Sequence, residues 1–364
     1  MQMTTIAGIV GILLMLILMF AGVNLAFSFF ISGFIGVVMI LGFGGGLTYL
    51  QTIPVTTAMS YSLAVLPMFM LMGDFAVMGA LTTDAYGAAR KWFGRLPGGL
   101  AITSTVASAI FGAICGSGQA TAMVMSQVAW PEMKRYGYEP KLGLCSIAAA
   151  GPLAILIPPS TPIIIYGILA QTSVGKLFMA GISVIVCLII VICKHRAGGK
   201  KILQTLKESA VQASGLFFMF IGIQLFNAFM GLSKLPAMLS SWVTGLALPP
   251  MAIIWVIVII YLVLGCFIDT PVIMMLTIPL FAPAVSALGF DLVWFGILST
   301  MCVALGSITP PVGICLFVIG ARVKEVPLIT LMKGVWPYVI ATFAATVLVM
   351  YIPQLSLLLP SLMS

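Results

Sequence analysis

The stretch Ile155-Leu156-Ile157-Pro158-Pro159-Ser160-Thr161-Pro162-Ile163-Ile164-Ile165 places two adjacent prolines and two hydroxyl side chains inside an otherwise apolar run. A second stretch, Gly306-Ser307-Ile308-Thr309-Pro310-Pro311-Val312-Gly313, repeats that composition 152 residues later. Proline removes a backbone donor and clashes with the preceding turn, so two in succession stop a helix. The surrounding chain is 62% hydrophobic and only 7% charged. A soluble domain carries about 25% charged residues, which excludes a water-soluble globular fold. No charge occurs from Met1 to Gly73 or after Lys333, and those stretches must sit in lipid. Both breaks therefore fall at membrane depth, where freed carbonyl and N–H groups survive only if they line a cavity.

The 152-residue offset extends well beyond the breaks. It pairs Pro97 with Pro249, Pro131 with Pro283, Pro158 with Pro310 and Pro159 with Pro311 without a gap. Chance would give about 0.4 such coincidences, so this is an internal repeat. Gly79 and Gly231, Gly137 and Gly289, and Tyr138-Glu139 and Phe290-Asp291 also coincide.

Apolar runs of membrane-crossing length place spans near 5–22, 24–43, 56–80, 141–171, 176–193, 203–230, 292–320 and 334–352. Basic residues mark the cytoplasmic side. Arg90, Lys91 and Arg95 precede the segment 97–133, and Lys134, Arg135 and Lys141 follow it, so both of its ends face one side. It is expected to be a re-entrant hairpin. The dense basic loop from Lys194 to Lys207 falls on the same side in this count, which leaves 249–284 as a hairpin from the periplasmic face and both termini periplasmic. Three crossings and one hairpin separate equivalent points, so the second copy is inverted, the architecture of secondary transporters. The expected organisation is two scaffold spans (1–55), repeat one (56–193), a basic cytoplasmic loop (194–202), repeat two (203–352) and a C-terminal tail (353–364). The N-terminus lacks a basic region before its apolar run and reads as a retained span.

The net charge of +8 lies in short clusters between apolar runs, the pattern of membrane loops and not of a nucleic-acid surface. Seven cysteines without paired spacing read as small buried hydrophobes, and His195, in a basic loop, has no partner for metal or acid–base work. With no nucleophile–base pair or metal cluster, an enzyme is not expected.

The chemistry concentrates at the hairpin tips and the breaks. The tips are Gly116-Ser117-Gly118-Gln119-Ala120-Thr121 and Gly265-Cys266-Phe267-Ile268-Asp269-Thr270-Pro271, each 41 residues before its break. Carbonyl oxygens with Ser and Thr hydroxyls suit a hard cation, and half-helix N-termini attract an anion. Each copy can thus supply one cation site between tip and break, the two flanking a substrate. Asp269, aligned with Ser117, is the only charge within either hairpin interior and could serve as cation ligand, proton carrier or helix N-cap. N-cap plus cation contact is the favoured reading. Asp74, near the end of its span, reads as solvated. No Arg or Lys falls inside the expected cavity, so an anionic substrate would rely on dipoles, hydroxyls and Gln119.

At these motifs the sequence resembles the large membrane subunit of the tripartite ATP-independent periplasmic (TRAP) transporters. The residues that carry the resemblance are GPLAILIPPSTPIIIYGILAQTSVGKLFMAG (151–181), ITPPVG (308–313), GAICGSGQATA (112–122), GCFIDTP (265–271) and PEMKRYGY (131–138), spanning about 60–335. The resemblance implies an all-α polytopic inverted-repeat transporter of the elevator type, with two re-entrant hairpins and two broken helices, in a bacterial inner membrane. It implies sodium-driven import of organic acids such as C4-dicarboxylates, a periplasmic solute-binding protein, a small four-span membrane subunit, and no cofactor beyond sodium. Carried over, the sodium ligands come from Gly116, Ser117, Gly118, Ser160 and Thr161 in one site and from Gly265, Asp269, Thr270, Ser307, Thr309 and Gly313 in the other. Gln119, Thr121, Pro158, Pro159, Pro310 and Pro311 are the candidate substrate contacts.

The chain departs from the family pattern between its repeats, where the offset leaves only the loop 194–201 opposite the two N-terminal spans. The scaffold is then lopsided, completed by a partner, or lost in an inactive variant. Gly8, Gly11, Gly22, Gly33 and Gly36 offer a small-residue face on which the small subunit could dock. The alternatives are a stand-alone sodium- or proton-coupled carboxylate carrier of a related fold and an inactive membrane scaffold.

Overall fold

A computed structural model describes residues 2–60, 63, 65–157, 160–169, 199–245, 248–268 and 270–361, and every regular element among them is a helix. The first half contains α1 (Gln2–Phe20), α2 (Leu25–Ala58), α3 (Val65–Met78), α4 (Leu81–Phe93), α5 (Gly99–Cys115), α6 (Gly118–Val128), α7 (Trp130–Arg135), α8 (Pro140–Leu156) and α9 (Thr161–Leu169). The second contains α10 (Gly199–Ser233), α11 (Leu235–Gly245), α12 (Pro250–Phe267), α13 (Thr270–Ala287), α14 (Leu292–Gly306), α15 (Ile314–Arg322), α16 (Leu328–Gly334), α17 (Trp336–Tyr351) and α18 (Gln354–Ser361). The expected span 176–193 and His195 lie outside the described residues. Equivalent positions start helices in both copies: Gly118 and Thr270, Pro140 and Leu292, and, within one residue, Gly99 and Pro250, and Thr161 and Ile314.

The expected span 24–43 is longer in the structure. It bends at Gly42 (φ 75°, ψ 174°) and continues to Ala58. Thirty-four residues extend about 50 Å, more than the roughly 30 Å of hydrocarbon. The continuation keeps its polar groups satisfied internally, because Thr48, Thr52 and Thr56 each donate to a carbonyl one turn earlier. The expected span 56–80 is shorter in the structure: its first residues, to Ala58, belong to α2, α3 covers Val65–Met78, and α4 starts at Leu81 after Ala80 takes a positive φ of 51°.

Gly8, Gly11, Gly33 and Gly36 face this chain's own helices and not a partner. A Cβ on Gly33 would lie 2.6 Å from the backbone nitrogen of Phe226 in α10, and one on Gly8 would lie 2.9 Å from Ser233. The Phe229 ring fills the hole made by Gly11 and Gly36, approaching their Cβ positions to 2.3 and 2.4 Å. These four glycines therefore serve the chain's own helix packing, and Gly22 sits in an open turn at φ 82°. Phe229 is fully buried. Phe229→Ala is expected to cost about 3–5 kcal/mol, read as a lowered thermal midpoint in detergent; an unchanged midpoint would contradict this packing.

Each hairpin is closed by identifiable contacts. The Leu100 N–H donates to Tyr138 Oη at 3.3 Å, while Arg90 pairs with Glu132 and donates to Tyr136 Oη at 2.9 Å, so the two ends of the first hairpin meet. In the second, the Thr277 hydroxyl donates to Tyr261 Oη at 2.8 Å across the two arms. The post-break helices then exchange partners. α15 packs on α6 and α8, placing Leu316 and Ile319 in one core with Met125 and Leu144. α9 packs on α13 and α14, placing Ile165 and Tyr166 in a second core with Met274 and Phe295. The Tyr166 ring lies over Gly296, and its hydroxyl donates to the Leu292 carbonyl. This reciprocal exchange ties the two repeats together.

The exchange is anchored at the basic edge by Glu325, which pairs with Lys134 and accepts from Trp130 Nε1 at 2.9 Å. Arg322 adds a donation to Gln127 Oε1 at 3.3 Å. The Lys134 hydrogen bond, then that from Trp130, holds the Glu325 carboxyl below its ordinary range. A lowered carboxyl contributes stability above the ordinary carboxylate range and loses it as the pH falls through its folded value. The difference in thermal midpoint between wild type and Glu325→Gln is accordingly expected at neutral pH and to vanish on acidification. A difference independent of pH would rule out the ionic anchor.

Candidate cation and substrate sites

At the first tip the chain reverses within two residues. Gly116 adopts φ 66° to end α5, its N–H donating to the Gly112 carbonyl at 2.7 Å, and Ser117 is extended. Ser117 Oγ caps α6 by accepting from the Ala120 N–H at 3.4 Å, and the Thr121 hydroxyl donates to the Ser117 carbonyl at 2.8 Å. At the first break α8 ends before Ile157 and α9 begins at Thr161. The buried Ser160 accepts from the Ile163 N–H at 3.4 Å. Tip and break touch: the Thr161 N–H donates to the Gly116 carbonyl at 3.4 Å. The hairpin also lies backbone to backbone on the broken helix, since a Cβ on Gly151 would sit 2.7 Å from the Gly118 carbonyl.

Four half-helix ends converge there. The C-termini of α5 and α8 offer carbonyls, and the N-termini of α6 and α9 offer N–H groups. Of the residues assigned to this site, Gly116, Ser117, Gly118, Ser160 and Thr161 are brought together, while Pro158 and Pro159 lie outside the described residues. Gln119 is half-buried on the first turn of α6, and Thr121 is fully buried with its hydroxyl engaged by the Ser117 carbonyl.

The second break is a compact loop. The N–H groups of Ile308 and Thr309 donate to Leu305 and Gly306, Pro310-Pro311 is cis, Gly313 adopts φ 59°, and the Cys315 N–H closes the loop onto the Ser307 carbonyl at 3.0 Å. The Ser307 and Thr309 hydroxyls donate to the carbonyls of Ala304 and Leu305, at 2.6 and 2.7 Å. A hydroxyl whose hydrogen is so engaged keeps its lone pairs for a cation. The first arm of the second hairpin abuts this loop: a Cβ on Gly306 would lie 2.6 Å from Gly265 Cα. Gly265, Ser307, Thr309 and Gly313 are thus neighbours, Thr270 is buried at the start of α13, and Pro310 and Pro311 face outward in part. Asp269 lies outside the described residues.

Gly151 and Gly306 carry no donor or acceptor side chain that would mark them in the sequence, yet their lack of a side chain is what lets hairpin and broken helix meet. Asp74, expected to be solvated, is instead held by a second helix. In the structure Asp74 accepts from Ser209 Oγ at 2.5 Å, joining α3 to α10, and its neighbour Gly73 lies against Cys115 at the first tip.

The described residues are helical throughout, four of their helices are long and apolar enough to cross a membrane, and both copies join a hairpin to a broken helix, which is the architecture of a multi-pass membrane transport protein. The profile of the tripartite ATP-independent periplasmic transporter, DctM component, matches residues 12–184 and 181–355, and the chain belongs to that family. It is 28% identical to the C4-dicarboxylate TRAP transporter large permease protein DctM of Pseudomonas aeruginosa, over 88% of this chain and 93% of that one. Identity is 27% with the sialic acid TRAP transporter large permease protein SiaM of Vibrio cholerae, covering 83% and 87%. With the ectoine TRAP transporter large permease protein TeaC of Halomonas elongata it is 28%, covering 83% and 86%. In fold the chain is similar to the YdaH transporter of Alcanivorax borkumensis, with a TM-score of 0.64 and 15% identity over 87% of this chain and 90% of that one.

Proposed function

We propose that this chain is the membrane subunit that carries an organic acid inward on a sodium gradient, taking it from a periplasmic binding protein and working beside a small membrane subunit. The observation that carries the reading is the pairing of each hairpin tip with its break, Gly116 with Thr161 and Gly265 with Gly306. Each pairing gathers carbonyl and hydroxyl oxygens of the kind a hard cation takes. Membership of the tripartite family supports the two partners. The relatives' substrates, C4-dicarboxylate and sialic acid among them, support an acidic solute.

Sodium at both sites would place positive charge beside a substrate that the chain itself meets with no basic side chain at the tips or breaks, so solute and cation bind together. The basic edge carrying Arg90, Lys134 and Lys141 is taken as cytoplasmic, which puts both termini in the periplasm. The body formed by the exchanged helices is the natural moving unit of an elevator. Uptake into proteoliposomes tests the proposal: it should require an inward sodium gradient, a matched binding protein and the small subunit. Equal uptake with potassium replacing sodium would overturn the coupling, and uptake by the isolated chain would overturn the dependence on partners.

A further inference from the structure

A groove of about 380 Å³ runs along the outer surface of the second repeat. Leu262 and Cys266 of α12 form one wall, Val339 and Phe343 of α17 the other, with Thr309 at its inner end and Trp336 beside it. The lining presents carbon, because the one hydroxyl there, on Thr309, is turned to the Leu305 carbonyl. Val263 and Ile340 at the rim are 55% and 63% exposed, and α12 is a membrane-crossing helix by length and composition, so the groove opens to hydrocarbon.

Its mouth is charged. At the Trp336 end α16 bends into α17 by 44°, with the exposed Lys333 on the last turn of α16. Lys141 packs its stem against Gly334 there, 2.9 Å from the position of a Cβ. Its one ion-pair partner among the described residues is the exposed Glu139 at 3.5 Å. Lys333, three residues before Trp336, and Lys141, its stem on Gly334, bring two lysines to the Trp336 end of an apolar slot, a combination that matches a lipid with a negative headgroup.

We propose that the groove is a site for an anionic phospholipid, one acyl chain lying between α12 and α17 and the headgroup on Lys141 and Lys333. The bound chain touches Cys266, three residues before Asp269, and Thr309 in the second break. Binding itself does not depend on the sodium reading.

The test uses the full chain in phosphatidylcholine nanodiscs with a trace of phosphatidylglycerol bearing a diazirine on its acyl chain, the photolabelled peptides being mapped by mass spectrometry. Label is expected on α12 and α17 several-fold above that on exposed α1 residues such as Leu13. Lys141→Gln with Lys333→Gln should reduce it several-fold for the phosphatidylglycerol probe and leave a phosphatidylcholine probe unchanged. Ile340→Trp, which narrows the rim, should reduce both, and protection of Cys266 from a lipid-soluble maleimide by phosphatidylglycerol gives a readout on the wild type. Label spread evenly over α1 and the groove, equal labelling by the two lipids, or disulfide dimers of Ile340→Cys that assign the groove to a second copy would each overturn the proposal.

Discussion

Gly306→Val is expected to abolish uptake while leaving the helical circular-dichroism signal in place. A Cβ at this position would meet Gly265 Cα at 2.6 Å, Gly265 C at 2.7 Å and the Leu262 carbonyl at 2.9 Å, all of them backbone atoms. No side-chain rotation can relieve such a contact, so α12 has to move away from α14. Overpacking commonly costs about 1–3 kcal/mol where side chains can shift, and a backbone-to-backbone clash belongs at the upper end. The damage is local. Displacing Gly265 separates the second hairpin from Ser307 and Thr309, removing the second candidate site before it unfolds any helix. Gly306→Ala should already impair uptake, whereas Gly231→Val, with nothing within 4 Å of its Cβ position, should leave it intact. Normal uptake by Gly306→Val would show that close approach of these two elements is not needed.

What the sequence made legible divides along the range of the physical cause. Paired prolines act on their own turn, so the end of α14 at Gly306 followed the residues alone. The repeat was equally legible, because Pro97, Pro131, Pro158 and Pro159 recur at one offset and equivalent helices begin where those landmarks imply. The exchange of α9 and α15 was not legible. Their apolar faces fit either repeat equally well by composition, and the choice is made by shape, as where Tyr166 needs the gap above Gly296. The same holds for Gly8, Gly11, Gly33 and Gly36. A small-residue face records that something approaches closely, and only the fold identifies α10 and Phe229 as what approaches. The extension of α2 to Ala58 was hidden because a run of Gly and Thr reads as a boundary, whereas its threonines cap their own helix from within. Asp74 was misplaced for a related reason: its partner, Ser209, is distant in sequence.

The second large effect is expected at the tips. Ser117→Ala removes the side chain that accepts from the Ala120 N–H, and with it an oxygen of the first proposed cation site. Losing an N-cap costs about 1 kcal/mol of helix stability, and losing a hard-cation ligand weakens the ion's coordination shell. A binding loss of about 1.4 kcal/mol is a tenfold change in affinity, so the sodium concentration for half-maximal uptake should rise about tenfold. The repeat supplies the control that separates capping from coordination. Asp269 is the residue aligned with Ser117, and aspartate is as good an N-cap as serine. Ser117→Asp therefore preserves the cap and adds a charged oxygen, and it should hold the sodium requirement at or below the wild-type value. Asp269→Ala should raise that requirement, and Asp269→Ser should raise it less, because serine keeps an oxygen at the position aligned with Ser117 and gives up only the charge. The full set, measured as sodium titrations of uptake at matched expression, discriminates between the two roles. If Ser117→Ala and Asp269→Ala both titrate as wild type, neither tip holds the coupling ion. If Ser117→Asp behaves like Ser117→Ala, the first tip tolerates only an uncharged oxygen, and the two sites differ in chemistry despite their shared architecture.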